Sequence, residues 1–231
     1  MSILECKALS KRFGAAQALD NIDLELEGGH IVGLLGPNGS GKTTLIKLCN
    51  GLLTPTSGTV RIDGMAPGAG TKAIVSYLPE RNALPEWMTT AQAVSYYADF
   101  FEDFNSDKAK EMIANLGLQQ NQRIKTMSKG TREKLQLILT MSREAKLYLL
   151  DEPIGGVDPA TRDYILHTII RNYNPDATII ISTHLITDVE PILDEVIFLR
   201  EGKVVLYNSV DNIREEKGKS VDELFREVFK C

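Results

Sequence analysis

The residues best suited to chemistry lie in "GPNGSGKTT", positions 36–44. They fit the pattern G-x-x-x-x-G-K-[ST], with Gly36, Gly41, Lys42 and Thr43 at the fixed places and Pro37, Asn38, Gly39 and Ser40 between them. Such glycines let backbone N–H groups turn inward around phosphate oxygens, and a following helix adds a dipole that favours anions. Lys42 supplies a charge for the β- and γ-phosphates, Thr43 offers a hydroxyl to Mg²⁺, and Thr44 closes the stretch. The plain alternative is a flexible Gly-Ser turn. A chance match in a chain of this length is on the order of one per cent. The apolar run "HIVGLLG" before it and the helix-like "LIKLCNGL" after it favour a nucleotide site.

Two further segments supply the groups such a site needs. "LYLLDEP" ends an apolar run on Asp151 and Glu152. Ligands of open α/β sheets gather at the carboxyl ends of strands. Asp151 there can hold Mg²⁺, directly or through water, together with Thr43. Glu152 points another way and is placed to polarise a water against a γ-phosphate. Two acids ending a strand in solvent are common, but not beside a phosphate loop on the same sheet. "IIISTHL" brings His184 just past another apolar run, where imidazole can donate one hydrogen bond and accept another. His30, before a strand, and His167, inside a helix, lack such neighbours.

The elements that must position these groups are legible in the periodicity. Apolar alternation over Ile3–Leu9 and Ile22–Leu26 predicts strands. Residues 30–36 form a continuous apolar run, as in a strand buried on both faces of a parallel sheet. Further strands are predicted at 58–64, 72–78, 146–151, 177–182, 195–200 and 203–207. Between about 90 and 142 the period becomes helical, with Ser106 as a cap before Asp107. Pro159 opens another helix. The expected architecture is a mixed α/β core, residues 1–84 and 146–231, interrupted by a helical insertion at 85–145. In the C-terminal "SVDELFREVFKC", Val221, Leu224, Phe225, Val228 and Phe229 share one stripe, expected to pack on the chain itself.

Composition narrows the classes. The 231 residues fit one large domain, and 43% apolar with 25% charged residues is ordinary for a packed core. A net charge of −5 argues against nucleic acid or anionic lipid as a general partner. Cys6, Cys49 and Cys231 have no metal-ligand spacing and suggest no disulfide framework, so a reducing cytosol is expected. No apolar run approaches the ~20 residues that span a bilayer.

Taken together, these motifs resemble the ATP-binding subunit of an ABC transporter, over nearly the whole chain. "GPNGSGKT" corresponds to the Walker A loop, "LYLLDE" to Walker B, "STH" to the H-loop and "GGVD", ending in Asp158, to the D-loop. Phe13 stands where the family places an aromatic that stacks on adenine. "MSKGT", Met127–Thr131, occupies the "LSGGQ" signature position, and "SYLPER" the Q-loop. Glu80 replaces the Q-loop glutamine; it can accept a hydrogen bond or bind Mg²⁺ but cannot donate as an amide does. Lys129 replaces a signature glycine and Thr131 a glutamine, while Ser128 and Gly130 are kept.

The resemblance implies a P-loop NTPase (RecA-like) fold with an N-terminal antiparallel β part. It implies an ATPase using ATP and Mg²⁺. Lys42, Glu80, Glu152 and His184 would act catalytically, and Thr43, Asp151 and Glu80 on the metal. It implies a head-to-tail dimer in which Ser128, Lys129, Gly130 and Asp158 reach the other subunit's nucleotide. The partners would be a second ATPase subunit and a polytopic permease on the cytoplasmic face of the membrane. "YLPE", "SKG" and "GGVDP" are similar to ABC-2-type exporters. Trp87 and its neighbours would face the permease, the other aromatics of the insertion would fill its core, and Arg132 and Lys134 would be solvated. The rival is a soluble ABC-type ATPase acting on a ribosome or DNA. Tandem domains or a long coiled-coil insertion would mark such proteins, and this chain has neither.

Overall fold

The computed structural model describes residues 2–229. Its strands, in chain order, are β1 (Ser2–Phe13), β2 (Ala16–Glu27), β3 (Ile31–Leu35), β4 (Ser57–Ile62), β5 (Val75–Leu78), β6 (Leu147–Asp151), β7 (Thr178–Thr183), β8 (Glu195–Arg200) and β9 (Lys203–Ser209). The helices are α1 (Lys42–Cys49), α2 (Ala69–Lys72), α3 (Thr90–Phe100), α4 (Ser106–Asn115), α5 (Lys129–Met141), α6 (Pro159–Asn172), α7 (Ile186–Val189), α8 (Val210–Lys217) and α9 (Val221–Phe229). The expected mixed α/β core is present. One sheet is antiparallel, in the order β2-β1-β4. The other runs β5-β6-β7-β3-β8-β9, parallel except for the β9 edge. Strands β3, β6 and β7 are buried at every position, as a sheet covered on both faces demands. Because β6, β7 and β3 are consecutive in the sheet, Asp151, Thr183 and Leu35 end side by side.

Three apolar clusters hold the layers. Helix α1 packs through Leu45, Ile46 and Leu48 between the antiparallel sheet and one face of the large sheet. The opposite face is covered by α6 to α9 and the end of α5. In α9 the apolar stripe packs on this core, with Phe225 edge-on to Phe198 at 5.3 Å between ring centroids. The insertion has its own cluster, built from α3, α4 and α5 around Ile124, Ile138 and Leu139. Among the described residues, no helix is long and apolar enough to cross a membrane.

Several local expectations need correcting. Asn105, not Ser106, caps α4: its extended backbone lets the side chain accept from Lys108 N at 3.0 Å, and Ser106 is the first helical residue. The strand predicted from residue 72 begins at Val75, because residues 69–72 form a short helix. Of the insertion's aromatics, Phe104 lies in its core and Tyr97 and Phe101 pack against it, as expected of most of them, while Trp87, Tyr96 and Phe100 are exposed. Arg132 is not simply solvated but pairs with Glu86 at 2.9 Å, and Lys134 lies 4.7 Å over the Tyr164 ring. Cys6 and Cys49 are free and buried, and a hydrogen bond to Cys6, together with burial, pushes the Cys49 thiol up. Cys231 lies outside the described residues.

Arg143 ties the insertion to the large sheet. Its buried guanidinium meets both Asp103 oxygens, at 2.9 and 3.0 Å, and donates to the carbonyls of Val75 at 2.6 Å and of Lys72 and Ala73 at 3.1 Å. It also lies 3.9 Å over the Phe101 ring. Truncation would leave a partly buried carboxylate and three carbonyls unpaired. Arg143→Ala is therefore expected to cost about 3–5 kcal/mol, a fall in Tm of roughly 6–15 °C for a chain of this size. Lysine should not rescue, because one ammonium cannot span the set. Thermal unfolding checks this, and a shift below about 2 °C would refute the tie.

Candidate nucleotide site

The loop after β3 is shaped by close approach. A Cβ on Gly36 would lie 2.4 Å from Leu199 O and 2.6 Å from Ser40 Oγ. Gly41 caps α1 with φ +110°, and a Cβ there would meet Ala18 O at 2.6 Å. The loop is thus pressed against the ends of β2 and β8, with the N-terminus of α1 at its centre. Lys42 is buried, and its ammonium donates to Gly36 O at 2.8 Å and Pro37 O at 3.3 Å. It also lies 3.4 Å from Glu152 Oε1. Asn38 and Gly39 are exposed at the rim, and Ser40 is buried beneath it.

Asp151 is the last residue of β6 and is 1% exposed. Its Oδ1 accepts from Thr43 Oγ1 at 3.0 Å and from Ser182 Oγ at 2.7 Å. Its Oδ2 is buried with no hydrogen-bond partner among the described residues. Burial pushes this carboxyl above the usual Asp range; the two hydroxyls oppose the rise, and the nearby charges of Glu80 and Glu152 add to it. Glu152 takes the left-handed backbone, φ +49°, rare for a residue other than glycine. Its Oε2 lies 3.1 Å from His184 Nδ1. With the carboxylate as acceptor, the Nδ1 carries the proton, and Nε2 is the ring nitrogen left for another partner.

A cleft of about 810 Å³ opens over the loop. Lys42, Thr43, Thr44, Glu80, Glu152 and His184 line it, so the structure brings these expected residues together. Phe13 is exposed at the end of β1, beneath the Lys11 ammonium at 5.1 Å, and is not among the lining residues. Ser128 and Asp158 serve as helix caps: Ser128 Oγ accepts from Thr131 N at 3.1 Å, and Asp158 Oδ1 from Thr161 N at 3.0 Å. Lys129 lines the far side of the cleft and donates to Gly156 O at 3.3 Å. Sequence reasoning missed Arg81, Arg132 and Glu133, which also line the cleft, and Ser182, which binds Asp151. Ser182 had a signal, being the hydroxyl residue two before His184 on the strand beside β6.

The donor set is chemically suited to Mg²⁺, which prefers hard oxygens and keeps few protein ligands. The unpartnered Asp151 Oδ2 is an oxygen of that kind, with the Thr43 hydroxyl beside the same carboxylate.

Comparison with known proteins agrees with this arrangement. A family model described as "ABC transporter" matches residues 19–155. The chain is 30% identical over 217 residues to the ABC transporter ATP-binding protein YtrB of Bacillus subtilis, covering 93% of this chain and 74% of that protein. It is 28% identical to the SkfA peptide export ATP-binding protein SkfE of B. subtilis, covering 89% of this chain and 88% of that one. It is 29% identical to the phosphonates import ATP-binding protein PhnC 1 of Natronomonas pharaonis, covering 88% and 92%. A solved ATP-binding subunit of an ABC transporter superimposes with a TM-score of 0.87 at 28% identity, covering 98% of this chain and 99% of that one. The chain belongs to the ABC transporter family, as one of its ATP-binding, ATP-hydrolysing subunits.

Proposed function

We propose that the chain powers a separate transmembrane permease, in the exporting direction, through ATP-driven closure of a head-to-tail dimer. The observation that carries the catalytic part is the convergence of Lys42, Asp151, Glu152 and His184 at the ends of three adjacent strands. Lys42 neutralises the β- and γ-phosphates. Thr43 and Asp151, with Glu80 nearby, hold Mg²⁺, which when bound neutralises charge on the phosphate oxygens. Glu152 takes a proton from the attacking water, and His184 orients that carboxylate and faces the γ-phosphate. Phe13 offers its exposed ring to adenine. Ser128, Lys129, Gly130 and Asp158 act across the dimer on the other nucleotide. ATP that contacts both halves only when they are closed favours closure. Hydrolysis and phosphate release remove that preference.

Export rests on the "YLPE", "SKG" and "GGVDP" pattern. SkfE carries an export name and PhnC 1 an import name at similar identity, so these relatives do not separate the two directions. The permease surface we propose is the exposed aromatic set Trp87, Tyr96 and Phe100, close in sequence to Glu80; the Tyr96 and Phe100 rings are 4.6 Å apart. Such a set suits the apolar face of a cytoplasmic permease helix. It would hold the chain at the cytoplasmic face of the membrane.

Three measurements test this reading. Glu152→Gln should keep ATP binding, lose at least about 100-fold in turnover and elute as a dimer with ATP; full phosphate release would overturn the role of Glu152. Trp87→Ala should leave ATP binding intact yet abolish co-purification with a polytopic chain from detergent-solubilised membranes. Recovery of a ribosome or DNA complex by the unmodified protein would refute transport. The third concerns Asp151, whose raised carboxyl favours the protonated form in the fold. That stabilisation is present below the ordinary Asp range and is lost as pH rises through the raised value. At pH 8 with EDTA and no nucleotide, Asp151→Asn should therefore melt above the unmodified protein, with the gap narrowing as pH falls. A lower melting point at pH 8 would contradict the burial argument.

A further inference from the structure

Ser182 is fully buried on β7, directly opposite Asp151 in the parallel register. Its hydroxyl is used twice. The O–H donates to Asp151 Oδ1 at 2.7 Å, and the oxygen accepts from Glu152 N at 3.1 Å. The same N–H also reaches Ser182 O at 3.0 Å. One side chain therefore grips the carboxylate of the first acid and the backbone of the second. Two residues on, His184 meets the second acid's carboxylate.

The consequence for Asp151 is geometric. A carboxylate turns easily about its terminal torsion, which is broad and roughly two-fold. Two donors on Oδ1, Thr43 and Ser182, fix that rotation and leave Oδ2 as the one oxygen without a partner among the described residues. The consequence for Glu152 lies in its backbone. Left-handed φ in a residue other than glycine is costly and persists only where the surroundings fix it. At Glu152 the paired acceptors on Ser182 supply part of that fixing.

We infer that Ser182 is a positioning residue for hydrolysis, which aims Asp151 at the metal and Glu152 at the water without touching the nucleotide. This rests on the reading of Asp151 and Glu152 given above. A merely structural serine would satisfy buried polar groups, and its loss would lower only the melting point. A positioning serine also supports what the metal adds to nucleotide affinity, and supports kcat. Outer-sphere partners of metal ligands are commonly worth roughly 10–100-fold in metal affinity or activity.

The test uses the full chain and a fluorescent ATP analogue, titrated with Mg²⁺ and again with EDTA, beside steady-state hydrolysis. Ser182→Ala should bind the analogue in EDTA within about twofold of the unmodified protein. It should lose roughly tenfold or more of the Mg²⁺-dependent gain and of kcat, with KM for ATP in Mg²⁺ rising in step with the lost gain. Ser182→Thr, which keeps the hydroxyl, should recover both. If the alanine variant does not fold, Ser182→Cys decides, since it fills the space with a weak donor and should show an intermediate loss. Unchanged Mg²⁺ gain and kcat in a folded variant would overturn the inference, as would an equal loss of affinity in EDTA. Asp151→Asn run in parallel separates the two layers. If it keeps the full Mg²⁺ gain, the reading of Asp151 fails. If it loses the gain while Ser182→Ala keeps it, only the role of Ser182 fails.

Discussion

Asp151 is a carboxylate placed where water is nearly excluded, at the end of a strand buried along its whole length. An anion in such a place is unstable unless donors surround it, and here the donors cover only one of its two oxygens. The surrounding architecture can be derived from that imbalance. The parallel order β6-β7-β3 brings Ser182 and the phosphate loop to the flanks of Asp151. The loop then starts a helix whose first two residues are Lys42 and Thr43, so a cation and a hydroxyl arrive from the third direction. What the fold leaves uncompensated, a divalent cation of the kind proposed above would supply. The cost of burying the group would then reappear as affinity for that cation.

The second acid solves a different problem. Adjacent residues on a strand normally point to opposite faces, which would bury Glu152 on the far side of the sheet. The left-handed turn at Glu152 breaks the alternation and brings its carboxylate between Lys42 and His184. Lys42, at 3.4 Å, offsets its charge from one side, and His184, at 3.1 Å, hydrogen-bonds it from the other. The helix that follows β6 is held in turn. Arg162 in the first turn of α6 pairs with Asp188 on α7, at 2.6 Å, just beyond His184. The bridge thus joins the helix that starts at the Asp158 turn to the segment that follows His184.

The sequence carried the covalent alphabet of the site more fully than its geometry. Lys42, Thr43, Asp151, Glu152 and His184 were legible because each sits at a change of period, where an apolar run stops and a polar group must face something. Ser182 also ends such a run, but it was passed over because a small hydroxyl residue on a strand reads as ordinary and its partner Asp151 is 31 residues away. Arg143 was hidden for a related reason: its partners are the carbonyls of residues 72, 73 and 75 and the side chain of Asp103, all distant in sequence. Two aromatics of the insertion were misjudged because helical spacing gives a face but not its orientation. Tyr96 and Phe100 share one face, Tyr97 and Phe101 the next, and only packing against α5 decides which is covered.

The same logic explains the two departures in "MSKGT". Thr131 hydrogen-bonds Ser128 through their hydroxyls, at 2.8 Å, so it joins the capping of α5 rather than projecting a long amide outward. Lys129 bridges to Gly156 O and lies 3.6 Å from Glu133, which ties the start of α5 to the turn before Asp158. A Cβ on Gly130 would come within 3.3 Å of Thr161 Oγ1, so this glycine lets the first turns of α5 and α6 touch. The signature and the D-loop are therefore one continuous surface made of two adjacent helix starts. The α6 start is already capped by the Asp158 carboxylate, and the α5 start by the neutral Ser128 hydroxyl, so the dipole that favours an anion is left open only at α5. Lys129 adds a charge to that surface while its bond to Gly156 O joins the start of α5 to the turn that leads into α6.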